Sequence, residues 1–443
     1  MMTTTRPPSL LFLFFFAYIL SQLFYSSSIT NSYKLCDDER HDRPMIIMQQ
    51  APPKPSSKRA MEEEEEEEQR HLKIGSLSFP PFDYTRGDFP PFFIQRPKNL
   101  DQERKAWSKE GECRLSSKWL RDAAQAKTQQ GGVCRGNSTT CPIMVHTELL
   151  LKRNESMVDF RKEQLPVLSF LKTQHPSVTL NILVNENDYK NPPKWLSVLM
   201  KHEQYGKRLR TELWNIETLN TDDDELSSDF LQTVKDAYKN LVVPASRSDV
   251  RRYTVMYHYG GLWFDTDTIF LADVRPLMGY DYVNVADKNK LNNAAIGTSS
   301  RHSEMMRRIL EEVVNTYKHK NDGAYFRFGP YLFDQIQKDK TQPMPFGILS
   351  ACLFDAWGGK AKNGVWWWNF FQQKMTKRNM QFFQDQTGPF TSHWHGAWTE
   401  EFKNNTIASV IHANLVRELQ LDPTVFRPFE EVDWTPFKDF QRP

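Results

Sequence analysis

The sequence predicts an α/β protein with a mostly parallel sheet, and three observations carry that prediction. Apolar runs of strand length alternate with segments of helical spacing from about residue 142 onward. A helix, a double glycine and a buried apolar run follow one another at residues 244–264. No internal repeat points to a solenoid or propeller.

Taken in order, residues 142–146 (PIMVH) read as a short buried strand. Residues 159–173 have helical spacing, with Phe160, Leu165, Leu168 and Leu171 on one side. Val178–Val184 (VTLNILV) is a second strand, a further helix starts at residues 196–200, and residues 213–216 are a candidate third strand. Residues 229–241 are helical.

The chain has 443 residues, enough for a sizeable core and two or three domains. Its 57 Lys and Arg nearly balance 55 Asp and Glu, and no basic arm is visible, so no nucleic-acid partner is expected. The 30 Phe, 15 Tyr and 12 Trp suit a sugar-binding cleft and equally suit a core. Five cysteines occur, Cys36, Cys113, Cys134, Cys141 and Cys352, with no CxxC pair, which argues against a zinc knuckle or thioredoxin-type motif. Cys134 and Cys141 bracket a segment that can close as a small loop. Three glycosylation sequons, at Asn137, Asn154 and Asn404, favour an oxidising lumen.

Residues 10–25 are almost entirely apolar, interrupted only by Ser21 and Gln22. A spanning helix needs roughly 20 apolar residues, so this run is a short signal-anchor or else a cleaved signal peptide. Arg6 precedes it and no basic residue follows until Lys34, which places residues 1–9 in the cytosol. No A-x-A-like cleavage site follows, so the anchor is the preferred reading. Residues 26–106 hold proline pairs and the glutamate run 62–68, and read as a largely disordered stem. Residues 107–443 are then the lumenal folded domain.

The chemistry is expected at residues 244–267. Ser246 with Asp249 three positions on resembles an N-terminal capping arrangement. Val250, Tyr253, Met256 and Tyr257 give that helix an apolar face, and Asp249 and Arg252 project from a common side. Gly260 and Gly261 end the helix. A strand begins at 262–264, and Asp265 and Asp267 follow at period two. In an extended chain such carboxylates share a face, roughly 7 Å apart at Cα. They repel unless a cation joins them. Hard oxygen ligands suit Mn²⁺ or Mg²⁺, whose open positions diphosphate oxygens can fill. Separately, each feature has a plainer reading: an exposed turn, a helix stop, an ion pair worth a few tenths of a kcal/mol. Their order and spacing together are much more specific.

The sequence from Ser248-Asp249 through Arg252 to Gly260-Gly261 and Asp265-Thr-Asp267 resembles the sugar-binding region of DXD-motif glycosyltransferases. It most resembles the group with α-1,4-galactosyl-, α-1,4-N-acetylglucosaminyl- and initiating α-1,6-mannosyltransferases (glycosyltransferase family 32-like). Trp263-Phe264 stands where an aromatic–aliphatic pair with Tyr is usual. Asn292-Asn293 to Gly297, Gly329-Pro330 and His393-Trp-His395-Gly396-Ala-Trp398 resemble later motifs of that family in the same order.

The resemblance implies a GT-A-type nucleotide-sugar-binding sandwich and a retaining, metal-dependent transfer from a nucleotide diphosphate sugar donor to a glycan or glycolipid acceptor in the Golgi. It implies that Asp267 binds the metal, that Asp265 reaches the ribose or the metal, and that Asp249 and Arg252 hold donor-sugar hydroxyls, with Gly260, Gly261 and Asn293 lining the donor site. Arg251 is the competing arginine, otherwise surface or phosphate-facing. Either His393 or His395 completes the metal shell or touches the diphosphate; the plainer reading is a cleft histidine packed on tryptophan. Trp366-Trp367-Trp368 stacks on acceptor sugars or forms a core strand, and 222–225 is a solvated acidic loop. Two other functions compete: a two-carboxylate glycoside hydrolase, and a catalytically inactive lumenal sugar- or nucleotide-binding protein.

Overall fold

A computed structural model describes residues 117–118, 120–122, 143–149, 159–219, 226–285, 291–319, 327–339, 341–354, 370–384, 388–396, 398, 400–428, 432 and 434–435. The chain divides into two units, Met1–Glu67 and Glu68–Pro443, and every described residue lies in the second. The expected tail, anchor and stem fall outside the described residues. So do Cys36, Cys113, Cys134, Cys141, the sequons at Asn137 and Asn154, the 222–225 loop and the tryptophan run. Among the described residues no helix is long and apolar enough to cross a membrane.

Seven strands form one mixed sheet. Strands β1 (Ile143–Glu148), β2 (Val178–Val184), β3 (Leu209–Leu213) and β4 (Gly261–Phe264) pair in parallel in the order β3-β2-β1-β4. A three-residue strand, β5 (Thr268–Phe270), follows β4 and lies outside this sheet. Strands β6 (Tyr282–Val285), β7 (Leu291–Thr298) and β8 (Gly347–Leu349) complete the sheet in the order β4-β7-β6-β8. Only β7 runs against its neighbours, antiparallel to β4 and β6. A second ribbon pairs β5 with β9 (Thr391–His393).

Helix α1 (Phe160–Thr173) follows β1 and is capped by the Asp159 carboxylate, which accepts from the Arg161 N–H. Helices α2 (Glu186–Lys190) and α3 (Lys194–Lys201) join β2 to β3. Helix α4 (Ser228–Asn240) is capped by Ser227, and α5 (Pro244–Tyr259) leads into β4. Then come α6 (Glu304–His319), α7 (Pro330–Lys338), α8 (Lys377–Gln384) and α9 (Ile407–Glu418). The sheet carries a core on each face. Leu262 and Phe264 of β4 join α1, α3 and α9 on one side, while Trp263 joins α4, α5, α6 and α7 on the other.

Two expected elements are corrected. The third strand is Leu209–Leu213, and residues 216–218 form a 3-10 turn instead. This strand lies at the sheet edge and buries only Leu209, so its residues lack the apolar run of a central strand. Helix α5 starts at Pro244 with Val243 at the capping position, two residues before Ser246, which is fully buried in the first turn. Proline at the first helical position needs no N–H partner, and neither Ser246 nor Asp249 caps the helix.

Candidate donor-sugar and metal site

Helix α5 delivers Asp249 and Arg252 from one face, as a three-residue spacing requires. Gly260 ends the helix at φ 68 and ψ −164. Its closest neighbours, the Ser300 and Arg301 backbone, leave no room for a Cβ. The chain then turns straight into β4, whose end carries the two aspartates. Those aspartates are not on an extended strand. β4 stops at Phe264, and Thr266 and Asp267 form a turn before β5. The carboxylates converge across this turn rather than along one face of an extended strand.

The side chains form one continuous ionic chain. Arg252 Nη2 lies 2.7 Å from Asp265 Oδ1 and 3.7 Å from Asp249 Oδ1. Its Nη1 donates to the Asn293 carbonyl, and its guanidinium lies 5.1 Å from the centroid of the Trp263 ring. Trp263 Nε1 donates to Asp265 Oδ1 at 3.0 Å. Asn293, on the antiparallel strand β7, donates from Nδ2 to Asp249 Oδ1 at 2.6 Å and to the Tyr253 hydroxyl at 2.9 Å. Tyr253 in turn donates to the Phe328 carbonyl at 2.8 Å. Both amide hydrogens of Asn293 are therefore committed, which fixes its orientation.

The β5–β9 ribbon builds the other end. Thr268 pairs with His393, and the Trp394 N–H donates to the Asp267 carbonyl at 2.9 Å. His393 Nε2 then lies 2.9 Å from Asp267 Oδ1, and the Gly396 N–H donates to Asp267 Oδ2. Asp265, Asp267 and His393 each offer a ligand atom, all within 4.8 Å of one another. Two carboxylates and one imidazole fit Mn²⁺ or Mg²⁺, the nitrogen favouring Mn²⁺. His395 is not in that set; its ring lies 4.2 Å from that of His393, and its backbone is left-handed at φ 50.

The charges are unevenly compensated. Burial pushes the Asp249 carboxyl up to about 7, although Arg252 and Asn293 oppose this. Burial also raises Asp265, against the pull of Arg252. For Asp267 burial acts the same way, but the charges and hydrogen bonds of His393, with His395 and Gly396, hold it below the ordinary carboxylate range.

Arg251 is held in an ion pair. It pairs with Glu148 at the end of β1 and donates from Nε to the Tyr238 hydroxyl at 3.1 Å, while Ser248 donates to Glu148 at 2.6 Å. Thus Asp249, Arg252, Asp265, Asn293, Asp267 and His393 come together, Gly260 and Gly261 shape the turn that delivers them, and Arg251 belongs to a neighbouring ion pair. Tyr253 reads in sequence only as part of an apolar face; its hydroxyl role has no local signal. Gly329 is a second such case. A Cβ there would lie 2.9 Å from Asp249 Oδ2 and 3.4 Å from Asn293 Nδ2.

PaToxG glycosyltransferase is similar at 15% identity, over 51% of this chain and 78% of that one, with a TM-score of 0.32. The apo-form glycosyltransferase GlyE of Streptococcus pneumoniae TIGR4 is similar at 11% identity over 66% of each chain, with a TM-score of 0.34. Mouse xyloside xylosyltransferase 1 is similar at 14% identity, over 58% of this chain and 98% of that one, with a TM-score of 0.33. A search of curated proteins finds no match. Residues 162–284 match the glycosyltransferase sugar-binding region containing the DXD motif, which in this chain is Asp265-Thr266-Asp267.

Proposed function

We propose that this chain is a metal-dependent, retaining glycosyltransferase of the GT-A, family 32-like kind. It would move a hexose or N-acetylhexosamine from a nucleoside diphosphate sugar to a glycan or glycolipid. One observation carries the reading: Asp265 belongs both to the Arg252–Asp249 pair and to the Asp267–His393 cluster. A single carboxylate thereby links a polar, sugar-sized pair to a cation site, and a nucleotide sugar needs both next to each other.

Asp265, Asp267 and His393 would hold Mn²⁺ or Mg²⁺, which supplies positive charge for a departing diphosphate. Arg252, already paired with Asp265, holds donor-sugar hydroxyls together with Asp249. The Asn293–Tyr253–Phe328 hydrogen bonds keep Asp249 in place for that task. Arg251 and Arg252 are each bound to carboxylates, so leaving-group charge falls to the cation rather than to this arginine pair.

The setting we propose is the Golgi lumen, with residues 10–25 as a type II anchor. The disulfide at Cys352 and the sequon at Asn404 support an oxidising compartment. A thermal-shift panel of nucleotide sugars, with and without Mn²⁺, tests the function. A donor present at 100 times its dissociation constant adds about 2.7 kcal/mol of stability. No Mn²⁺-dependent shift with any donor would overturn the reading. Binding without transfer would favour an inactive sugar-nucleotide binder.

A further inference from the structure

Lys162 is fully buried, in the first turn of α1. Nothing in helix formation asks for a lysine there, because a cation at the N-terminal end opposes the macrodipole. A buried ammonium also loses its hydration and needs compensation. Part of the compensation comes from the nearby Asp159 carboxylate, and the rest from far along the chain. Nζ donates to the Trp398 carbonyl at 2.8 Å, 236 residues away, and to the Glu400 carbonyl. It also lies 4.2 Å from the centroid of the Phe371 ring.

Both contacts lead back to the metal-site segment. Trp394, between His393 and His395, stacks on Phe370 and meets Phe371 and Trp398 edge to face, each at 5.8 Å between centroids. Gly396, whose N–H reaches Asp267, comes two residues before Trp398. The ammonium therefore grips the far end of the segment through its carbonyls and touches the ring that packs against its middle.

We propose that Lys162 is a positioning residue for the metal site: by clamping the Trp398 and Glu400 carbonyls it holds His393 and Gly396 against Asp267. The proposal rests on the metal reading above, and its test separates the two. The full chain and its K162M and K162Q variants are titrated with Mn²⁺, followed by water-proton relaxation, and melted without metal. K162M fills the same space with no donor or charge; K162Q keeps N–H donors on a shorter arm.

The expected result is at least tenfold weaker Mn²⁺ binding in K162M, with K162Q between it and wild type. The melting temperature should also fall somewhat in K162M, because methionine leaves the Trp398 and Glu400 carbonyls without their donor. A purely structural lysine lowers the melting temperature and leaves Mn²⁺ affinity unchanged, so the affinity is what separates the two roles. Affinity in K162M within twofold of wild type overturns the clamp, as does failure of both variants to fold. Absence of Mn²⁺ binding by the wild-type chain overturns the metal reading itself and the clamp with it.

Discussion

Asp249 and Asp267 are the same side chain at the same burial, each 8% exposed, at the two ends of one ionic chain. Burial alone would raise both carboxyls. Only Asp249 rises, to about 7, while Asp267 is held low. The partners make the difference. Asp249 receives one amide hydrogen bond, at 2.6 Å, and shares an arginine that lies 1.0 Å closer to Asp265 (3.7 against 2.7 Å). Asp267 has an imidazole at 2.9 Å, a second histidine nearby and a backbone N–H. One end of the chain is thus built to keep its negative charge, and the other holds a carboxylate at a cost. A donor sugar offering hydroxyls suits the second end, and a cation suits the first.

The largest expected effect comes from breaking the charged end. Asp267→Asn keeps the shape and the Gly396 contact but removes the charge from the cation set. Mn²⁺-dependent transfer should fall by about a thousandfold or more, the scale of losing a principal electrostatic contact. Donor turnover measured across a Mn²⁺ titration checks this. Activity within tenfold of wild type would mean that Asp267 is not a ligand.

Asp249→Asn should break the opposite end and sharpen the contrast, because it costs activity and returns stability. Transfer is expected to fall roughly a hundredfold, as donor-sugar positioning is lost. A carboxyl raised from 3.8 to about 7 contributes stability that is fully present below its unfolded value and lost as pH climbs through its folded value. Wild-type stability should therefore decline between pH 4 and pH 7, by roughly 4 kcal/mol from this group, at 1.36 kcal/mol per pH unit. The Asn variant lacks that decline. Urea melts at pH 5 and pH 8 test it: the variant should gain on wild type between the two. Parallel pH profiles would show that Asp249 is ionised without penalty, and the comparison would fail.

Much of this architecture was legible as local pattern. Val178–Val184, the face of α1 and the run from Asp249 to Asp267 are contiguous signals of burial period, helix spacing and turn chemistry. β3 was not, because an edge strand with one buried residue carries little hydropathic period. The turn at Thr266 was not either, since two aspartates at period two suit a strand or a reversal equally well. The least legible contacts are those made by topology. Antiparallel β7 brings Asn293 beside α5, and the β5–β9 ribbon brings His393 to Asp267. Lys162 looks like any helix-face lysine until its partners are known. No spacing rule reaches across such separations; only the sheet order does.

The smallest expected effects concern two glycines, one at each end of the comparison. Gly329 has a negative φ, −103, and a Cβ there would lie 2.9 Å from Asp249 Oδ2. Gly396 is open by contrast, with its nearest atom, Asp267 Oδ2, 4.0 Å from a Cβ, but its φ is +72. Alanine should therefore act through different causes at the two sites. Gly329→Ala must push Asp249 off its hydrogen bond to Asn293, so donor kcat/KM should drop about tenfold, or roughly 1.4 kcal/mol. Mn²⁺ affinity should stay unchanged. Gly396→Ala keeps the N–H that reaches Asp267 but adds left-handed strain of about 1 to 2 kcal/mol. It should lower melting temperature and weaken Mn²⁺ binding while leaving metal-saturated donor affinity near wild type. Donor and Mn²⁺ titrations on both variants decide the matter. If both glycines weaken the same ligand, the two ends are one site with one tolerance, and the opposed carboxyls carry no division of labour.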